Sequence, residues 1–512
     1  MSRLGAFIDT LIEPFAPKRA LARRKARTQF QLAGGMYRGA DNTRLTMDWI
    51  LGRDTSTPSN WELNALRQRT RDLNRNNPIA SGATDTIAQN VVGTGLKPQS
   101  KLRADRLGIS EEKANELRRQ AESVWEEWCP IADAYDIQHF DDIQFMVLWK
   151  MVEDGELLVL PTWITDSWRP FGRAVEVLEI DRLKKPSGQK DVPETGIELD
   201  AMNRPFRYWI EKARKKPGDK IEFSGITKRD KMGRPKVLHI YNPKRPGQMR
   251  GVPHFAALVG LFKQLADYLE AEVVAARVAA CLAVFVTHNE DALEEALAQA
   301  DPELLEKMVT DRNSGRVQSI KPGMVSHLES GESIEVVDPR RPGDAFEPFV
   351  ASMLRFMSMA LGLSYEQLTK DFSKTNYSSA RAALLEGRRM FKRWRTWLAR
   401  KLCQPVWELV LEEAWLRGKF DAPDFYEKKH EYCRALWIGG GWGWVDPVKE
   451  VQSSDDAIAA GLSTLADECA AQGRDWEEVL EQRAREKAKA AELGLDLGIK
   501  AKKETKEEKE DA

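Results

Sequence analysis

Residues 361–400 join two helical patterns across a polar joint, and the rest of the chain must be arranged around that joint. Upstream, Phe349, Met353, Phe356, Met357 and Ala360 recur at helical spacing, and Gly362 follows where a helix ends. Downstream, Tyr377, Ala380, Leu384, Phe391, Trp394, Leu398 and Leu402 mark one face of a long second helix, with Asn376 as its N-cap. The joint between them, Thr369–Thr375, reads T-K-D-F-S-K-T: no Gly, no Pro, and polar apart from Phe372.

A third long helix precedes this pair. It begins at Pro253 and carries the stripe Phe255, Leu258, Phe262, Leu265, Leu269, Val273, Ala276 and Ala280, about 26 residues or roughly 40 Å. Its second half is rich in alanine, which lets a neighbouring helix approach closely; an ordinary core helix needs the same stripe. Residues 281–343 form a small unit of their own. Strands are expected at Ala283–Thr287, Val317–Ile320 and Ile334–Val337, with an acidic helical segment over Glu290–Thr310. The order is long helix, small α/β insert, second helix.

Ahead of these lies an α+β region, 61–250. Asn77-Pro78 starts a helix whose apolar face is Ile79, Ala83, Ile87 and Val91; Ser110 caps another with Leu117, Ala121, Val124, Trp125 and Trp128 on one side; a third covers Phe140–Glu153. Strands are expected at Leu157–Thr162, Arg173–Ile180, Phe206–Ile210 and Val237–Tyr241. The pairs Asp141-Asp142, Glu153-Asp154 and Glu179/Asp181 read as surface or cap acids, since nothing brings them together as metal ligands. Residues 1–60 read as a poorly structured arm with a basic run, Lys18–Arg27, that either lies on phosphates or orders on a partner subunit. After the joint, Pro405 kinks or restarts the helix, which runs to Gly418. The stretch W-I-G-G-G-W-G-W at 437–444 is too irregular for a strand and packs tryptophans on the main domain. Helices follow at Val448–Ala460, Leu462–Gln472 and Trp476–Glu492, then a charged tail over 494–512.

Charge matters through its distribution. The formal net charge is −1, yet Arg182–Arg250 has 19 Lys/Arg against 8 Asp/Glu, and Asp446 to the end has 11 against 18. Each run is either a solvated face or a contact for a charged partner. The five cysteines have no CxxC spacing and the six histidines no metal-ligand spacing, so neither a zinc site nor a disulfide framework is expected. Asp9, Glu13 and Pro14 interrupt the apolar residues of the N-terminus, unlike a signal peptide, and no apolar stretch approaches membrane-spanning length. Gly93-x-Gly95 follows a helix and is not a nucleotide loop; no G-x-S-x-G, Walker loop or H-E-x-x-H is present, so no enzyme and no cofactor is expected.

The stretch L-G-L-S-Y-E at 361–366, Thr369, Asp371 and N-Y-S-S-A-R at 376–381 resembles the lambda-type family of bacteriophage portal proteins. Further motifs agree in the same order: R-D-L-N-R-N-N-P-I-A at 71–80, N-V-V-G-T-G-L at 90–96 and Y-N-P-K-R-P-G-Q-M-R-G-V-P at 241–253. The resemblance implies an α+β, predominantly helical portal fold assembling as a ring. Residues 1–60 are then an arm, 61–250 the wing, 251–280 a stem helix, 281–343 the clip and 344–362 the second stem helix. Residues 363–376 are the tunnel-loop region, 377–445 a wing helix and closing segment, 446–493 the crown and 494–512 a tail. It further implies a homododecamer around double-stranded DNA at one vertex of the virion capsid, after assembly in the host cytoplasm. Its implied partners are the major capsid protein, the terminase large subunit and, after packaging, a head–tail connector protein, with no membrane.

On that reading Lys370 and Lys374 present rings of positive charge to the DNA and Asp371 moderates them; otherwise they are solvated loop residues. Arg381, Arg388, Arg389 and Arg393, interleaved with Trp394, either pair with a neighbouring subunit or approach DNA. Glu290, Asp291, Glu294 and Glu295 receive basic residues of a motor or connector, or serve a subunit interface. The alternative is a nucleic-acid-binding scaffold that forms no ring.

Overall fold

The computed structural model describes residues 58–212, 221–281, 285–288, 332–335, 345–443 and 446–495. The basic arm, the segment Glu290–Thr310, the strand at Val317–Ile320 and the tail beyond 495 lie outside the described residues.

Helix α1 (Asn60–Asn76) opens on a reciprocal cap: the Glu62 amide donates to the Ser59 hydroxyl and the Ser59 amide to the Glu62 carboxylate at 2.8 Å. Asn77 then accepts from the amides of Ile79 and Ala80 and starts α2 (Pro78–Val91), whose Ala83, Ile87 and Val91 are buried as expected. Strand β1 (Lys97–Ser100) leads to α3 (Glu111–Trp128), capped by Ser110, and α4 (Phe140–Glu153). The predicted apolar side of α3 is buried along its length.

The β-region is more divided than the sequence suggested. Strands β2 (Glu156–Trp163), β3 (Arg173–Leu178), β4 (Ile197–Leu199), β5 (Pro205–Glu211), β6 (Phe223–Thr227) and β7 (Leu238–Tyr241) form two antiparallel sheets, ordered β3-β2-β7 and β4-β5-β6. Strands β4 and β6 escape a pattern search because β4 is only three residues long and β6, F-S-G-I-T, shows no apolar alternation. A small core of Leu158, Leu178, Ile180, Ile197, Tyr208 and Ile210 joins the two sheets.

Helix α5 (Val259–Cys281) starts later than Pro253. The His254 amide donates to the Val152 carbonyl at 3.0 Å and Leu258 bonds back to Phe255 at 2.7 Å, so 253–258 is a set of turns pinned to the end of α4. Beyond α5, β8 (Phe285–His288) pairs antiparallel with β9 (Glu332–Glu335), overlapping two of the expected strands. Helix α6 (Phe346–Leu361) returns antiparallel to α5: Tyr268 packs on Phe346 and Phe349, while His254 reaches the Leu361 carbonyl.

A short helix that the sequence reading missed, α7 (Tyr365–Thr369), precedes α8 (Tyr377–Leu398). A π-helical segment, Ala399–Cys403, connects α8 to α9 (Gln404–Leu416) without a break. Pro405 supplies no amide for the usual bond four residues back, and the Gln404 amide bonds the Ala399 carbonyl five residues back. Strand β10 (Ala435–Ile438) corrects the reading of 437–444: Trp437 and Ile438 lie in a strand that pairs with β1. Trp437 and Trp442 do pack on the main core. That core gathers α2–α9 around an aromatic cluster in which Trp125 sits 5.0 Å from Trp128 and from Phe140 and 5.5 Å from Trp407. Three further helices, α10 (Pro447–Ala459), α11 (Leu465–Ala471) and α12 (Trp476–Glu492), end the described chain.

One buried polar hub holds the base of α5. Glu156, fully buried, takes Arg67, Arg250 at 2.7 Å, His239 at 2.8 Å and the Gly251 amide at 2.7 Å. Burial alone would raise its pKa, but Arg250, His239 and Arg67 hold it down at about 2. Beside it Arg71 grips Asp154 through two bonds and reaches Asp181, while Lys150 pairs with Glu153. Glu153 and Asp154 are therefore buried partners of cations and not surface acids.

Candidate functional site

The joint is built where α6, α7 and α8 meet. Gly362, left-handed at φ +74°, stops α6. Ser364 then caps α7 reciprocally with Gln367. Gln367 is buried against Gly387 of α8, where any Cβ would overlap its amide, so the absence of a side chain there sets how closely α7 lies on α8. Met357, Leu361, Leu363, Leu368 and Phe391 close the apolar side of this corner.

From Thr369 to Asn376 the joint is held by its own polar groups. Lys370 ends α7 in the left-handed region at φ +58°. Asp371 accepts from the Ser373 amide at 2.9 Å, Thr375 bonds the Phe372 carbonyl, and Asn376 caps α8 through the Ser379 amide at 2.8 Å. The bonds from Ser373 hold the Asp371 carboxyl below the usual carboxylate range. Lys370, Asp371 and Lys374 are all exposed. Lys374 pairs with Glu347 in the first turn of α6, which raises the lysine's pKa. Glu347, a residue the sequence reading did not single out, is therefore the first carboxylate acting on Lys374, and Asp371, which also acts on it, shapes the turn.

The helices flanking the joint are apolar on two sides. Phe262, Leu265, Met357 and Leu361 are buried in the chain's own core. Farther out, Val273 and Val274 of α5 are half exposed, and on α6 Phe349, Phe356 and Met359 stand 46%, 58% and 73% exposed. Phe349 and Phe356, which recur at helical spacing with Met353 and Met357, face outward because Met353, Leu354 and Met357 take the inner face.

The cationic face of α8 splits by depth. Arg381 lies near Asp446 and Lys449, and Arg389 bonds Glu386 at 3.0 Å. Arg388 donates to the Gly443 carbonyl at 2.8 Å. Arg395 is consumed inside the fold: it donates to the carbonyls of Asn90, Val91 and Gly440 and lies 4.0 Å from the Trp442 ring. Trp394 packs edge-on to His254 at 5.8 Å and to Trp397 at 5.4 Å. With Arg393, Met359 and Met390 it lines a cleft of about 590 Å³ at the base of α5 and α6. Glu290, Asp291, Glu294 and Glu295 lie outside the described residues.

Among the described residues no group of three or more His, Cys, Asp or Glu side chains is placed to hold a metal ion, and no helix is long and apolar enough to cross a membrane. Residues 43–395 match the family described as "Phage portal protein, lambda family". The portal protein of Escherichia phage N15 is 28% identical over 449 residues, covering 83% of this chain and 84% of that one. Portal protein B of Escherichia phage lambda is 26% identical over 447 residues, with the same coverage. Among solved structures, a chain from the neck of a native GTA particle with C12 symmetry aligns with a TM-score of 0.41 at 14% identity, over 81% of this chain and 94% of that one.

Proposed function

Because this chain belongs to the lambda family of phage portal proteins, we propose that it works as a closed ring of twelve copies through which double-stranded DNA enters and leaves the capsid. The observation that carries the ring is the second apolar face of α5 and α6. Among the described residues Phe356 and Met359 stand mostly exposed, and Phe349, though packed on Tyr268, is still half exposed; an apolar stripe of this kind is stabilised by burial against another copy. A ring uses a heterologous contact, one face of a subunit against the opposite face of the next, and rotation closes it.

In this reading 61–250 is the wing, α5 and α6 are the stem, 281–343 is the clip, and the helices from 446 to 493 are the crown. The joint at 370–374 points a sparse ring of lysines at the DNA. Sparse charge suits passage, because every neutralised phosphate adds salt-dependent affinity that would hold the duplex in place. Hydrolysis of ATP belongs to the terminase large subunit, which docks on the clip and gives way to a head–tail connector protein; the acidic residues Glu290, Asp291, Glu294 and Glu295 are the proposed docking charges. The major capsid protein surrounds the ring at its vertex.

Negative-stain imaging of the purified chain tests this. Closed rings with a central hole, twelve- or thirteenfold in class averages, are the expected result. A compact monomer at high concentration that binds DNA in a salt-sensitive manner would replace the ring with a non-ring nucleic-acid-binding scaffold.

A further inference from the structure

The cleft of about 590 Å³ at the base of α5 and α6 combines apolar walls with unpaired positive charge. Met151, Met359, Met390, Trp394 and Trp397 line it, and none of its lining residues is an acid. Lys244 and Arg393 are exposed cations of the lining, and neither side chain has an acceptor among the described residues. The buried indole N–H of Trp397 also lacks one among the described residues. Met359 belongs both to this lining and to the outward apolar face of α6, so the cleft is continuous with the face that the ring reading covers with another copy. Its complement is an aromatic side chain beside a free carboxylate. Rings pack well on tryptophan and methionine, and the carboxylate answers the two cations.

The chain carries such a group at the far end of β2. In the turn between β2 and β3, Trp168 is 60% exposed, and Asp166 is exposed with no partner for its carboxylate among the described residues. The turn is stiff. The Arg169 amide bonds the Asp166 carbonyl at 3.2 Å and the Ile164 amide bonds the Gly172 carbonyl at 2.8 Å. The buried Arg169 side chain holds Asp136 and the Ile131 carbonyl, and its guanidinium lies 5.3 Å from the Trp168 ring. A side chain presented in this way loses little freedom on docking. Trp61 is more exposed still, but the acid beside it, Glu62, is already engaged by Ser59.

Gly155, which lines the cleft, immediately precedes β2, and the turn immediately follows it. Eight residues of strand put the two ends about 26 Å apart. A chain does not fill its own cleft with its own turn across that distance, and a knob and a hole at opposite ends of one strand suit a head-to-tail contact between copies.

We propose that the β2–β3 turn of one copy seats Trp168 in the cleft of the next, with Asp166 facing Lys244 and Arg393. That successive copies close into a ring rests on the portal reading; the match of turn to cleft does not.

Two measurements on the full-length protein test this. Mass photometry over a concentration series reads assembly. A short bismaleimide reads the contact in Asp166→Cys/Lys244→Cys, with each single variant as the control for native thiols. Chain-to-chain ladders should appear in the double variant only. Trp168→Ala should raise the concentration needed for assembly at least about tenfold, as loss of a buried tryptophan anchor does. Asp166→Lys should act in the same direction, and Asp166→Lys/Lys244→Glu should recover much of the loss, which a merely structural defect would not. All three positions are exposed, so melting of the dissociated chains should not change; if Trp168→Ala does misfold, the charge exchange gives the reading without it. Wild-type assembly in Trp168→Ala and Asp166→Lys overturns the contact and leaves the cleft to a different protein. A missing ladder, or a crosslink within one chain, overturns it too. Closed rings without ladders sink the contact alone; ladders in assemblies that are not closed rings sink the portal reading and keep the contact.

Discussion

Gly251 lies against Gly155 so closely that a Cβ on Gly251 would overlap the Gly155 carbonyl, while one on Gly155 would overlap the backbone of Val252. Two segments almost a hundred residues apart in sequence cross there backbone to backbone, directly beside Glu156. Gly251→Ala should cost about 1–3 kcal/mol by overpacking. Gly155→Ala should cost at least as much, since Gly155 also sits at φ +81°. Urea unfolding of the two variants checks this, and a midpoint equal to wild type in both would mean the crossing can open without loss.

Arg250→Ala leaves Glu156 buried with one strong partner fewer, and should destabilise by about 3–5 kcal/mol. The folded-state pKa of Glu156, about 2, lies below its unfolded value near 4.3. Its contribution is therefore present above pH ~4.3 and lost as pH falls toward 2. Glu156→Gln should flatten the acid limb of the stability curve in that window.

The docking of α12 should respond to pH in the opposite sense. Glu122 on α3 accepts from the Ser100 amide at 2.7 Å and faces Asp475, Glu477 and Glu478; burial first, then these acids, push its pKa up to about 7. A raised acid stabilises while protonated, so this contribution is full below the unfolded value and lost as pH rises through 7. The protection factors of α12 amides, corrected for the intrinsic pH dependence of exchange, should fall between pH ~4.3 and ~7 and level off above that, and Glu122→Gln should remove that dependence. The ion pair of Arg119 with Glu481 at 2.7 Å is exposed and should matter little.

Phe356→Ser/Met359→Ser removes two of the most exposed apolar side chains of α6. Thermal melting of the dissociated chain should change little, because neither residue is in the core. Ring yield in mass photometry should fall sharply, and rings at the wild-type level would mean that the contact lies elsewhere.

Glu347→Gln frees Lys374 from its partner and should increase retention of packaged DNA. Lys370→Ala/Lys374→Ala should reduce retention while rings still assemble. If the double alanine ring packages and retains DNA as wild type does, the joint is not the tunnel loop.

Much of the helical framework was legible because its signals are local. Ser110, Asn77, Asn376 and Gly362 mark helix ends through their own side chains or backbone freedom, and the stripe of α3 shows its buried face directly. The small strands were not legible, because β4, β6 and β10 exist by virtue of the strands they pair with. The outward turn of Phe349 and Phe356 was likewise hidden: a helix that is apolar on two sides gives no periodic cue to which side the chain keeps for itself. At the joint, the charges could be read but their pairing could not. Lys374 meets Glu347 from 27 positions away, and no spacing rule links them. The hub at Glu156 left only an indirect trace, in glycines and arginines whose motifs had read as a basic connector.

The unbroken run of α8, the π-segment and α9 has a mechanical side. It is a single rod from Asn376 to Leu416, about 60 Å long at the usual rise, with one end at the joint and the other carrying Trp407 into the aromatic cluster. If DNA drags on the joint, the load does not stop at a flexible hinge. It travels down a stiff strut into the main hydrophobic core, and the five-residue widening at Ala399–Cys403 is where that strut departs from regular α-helix.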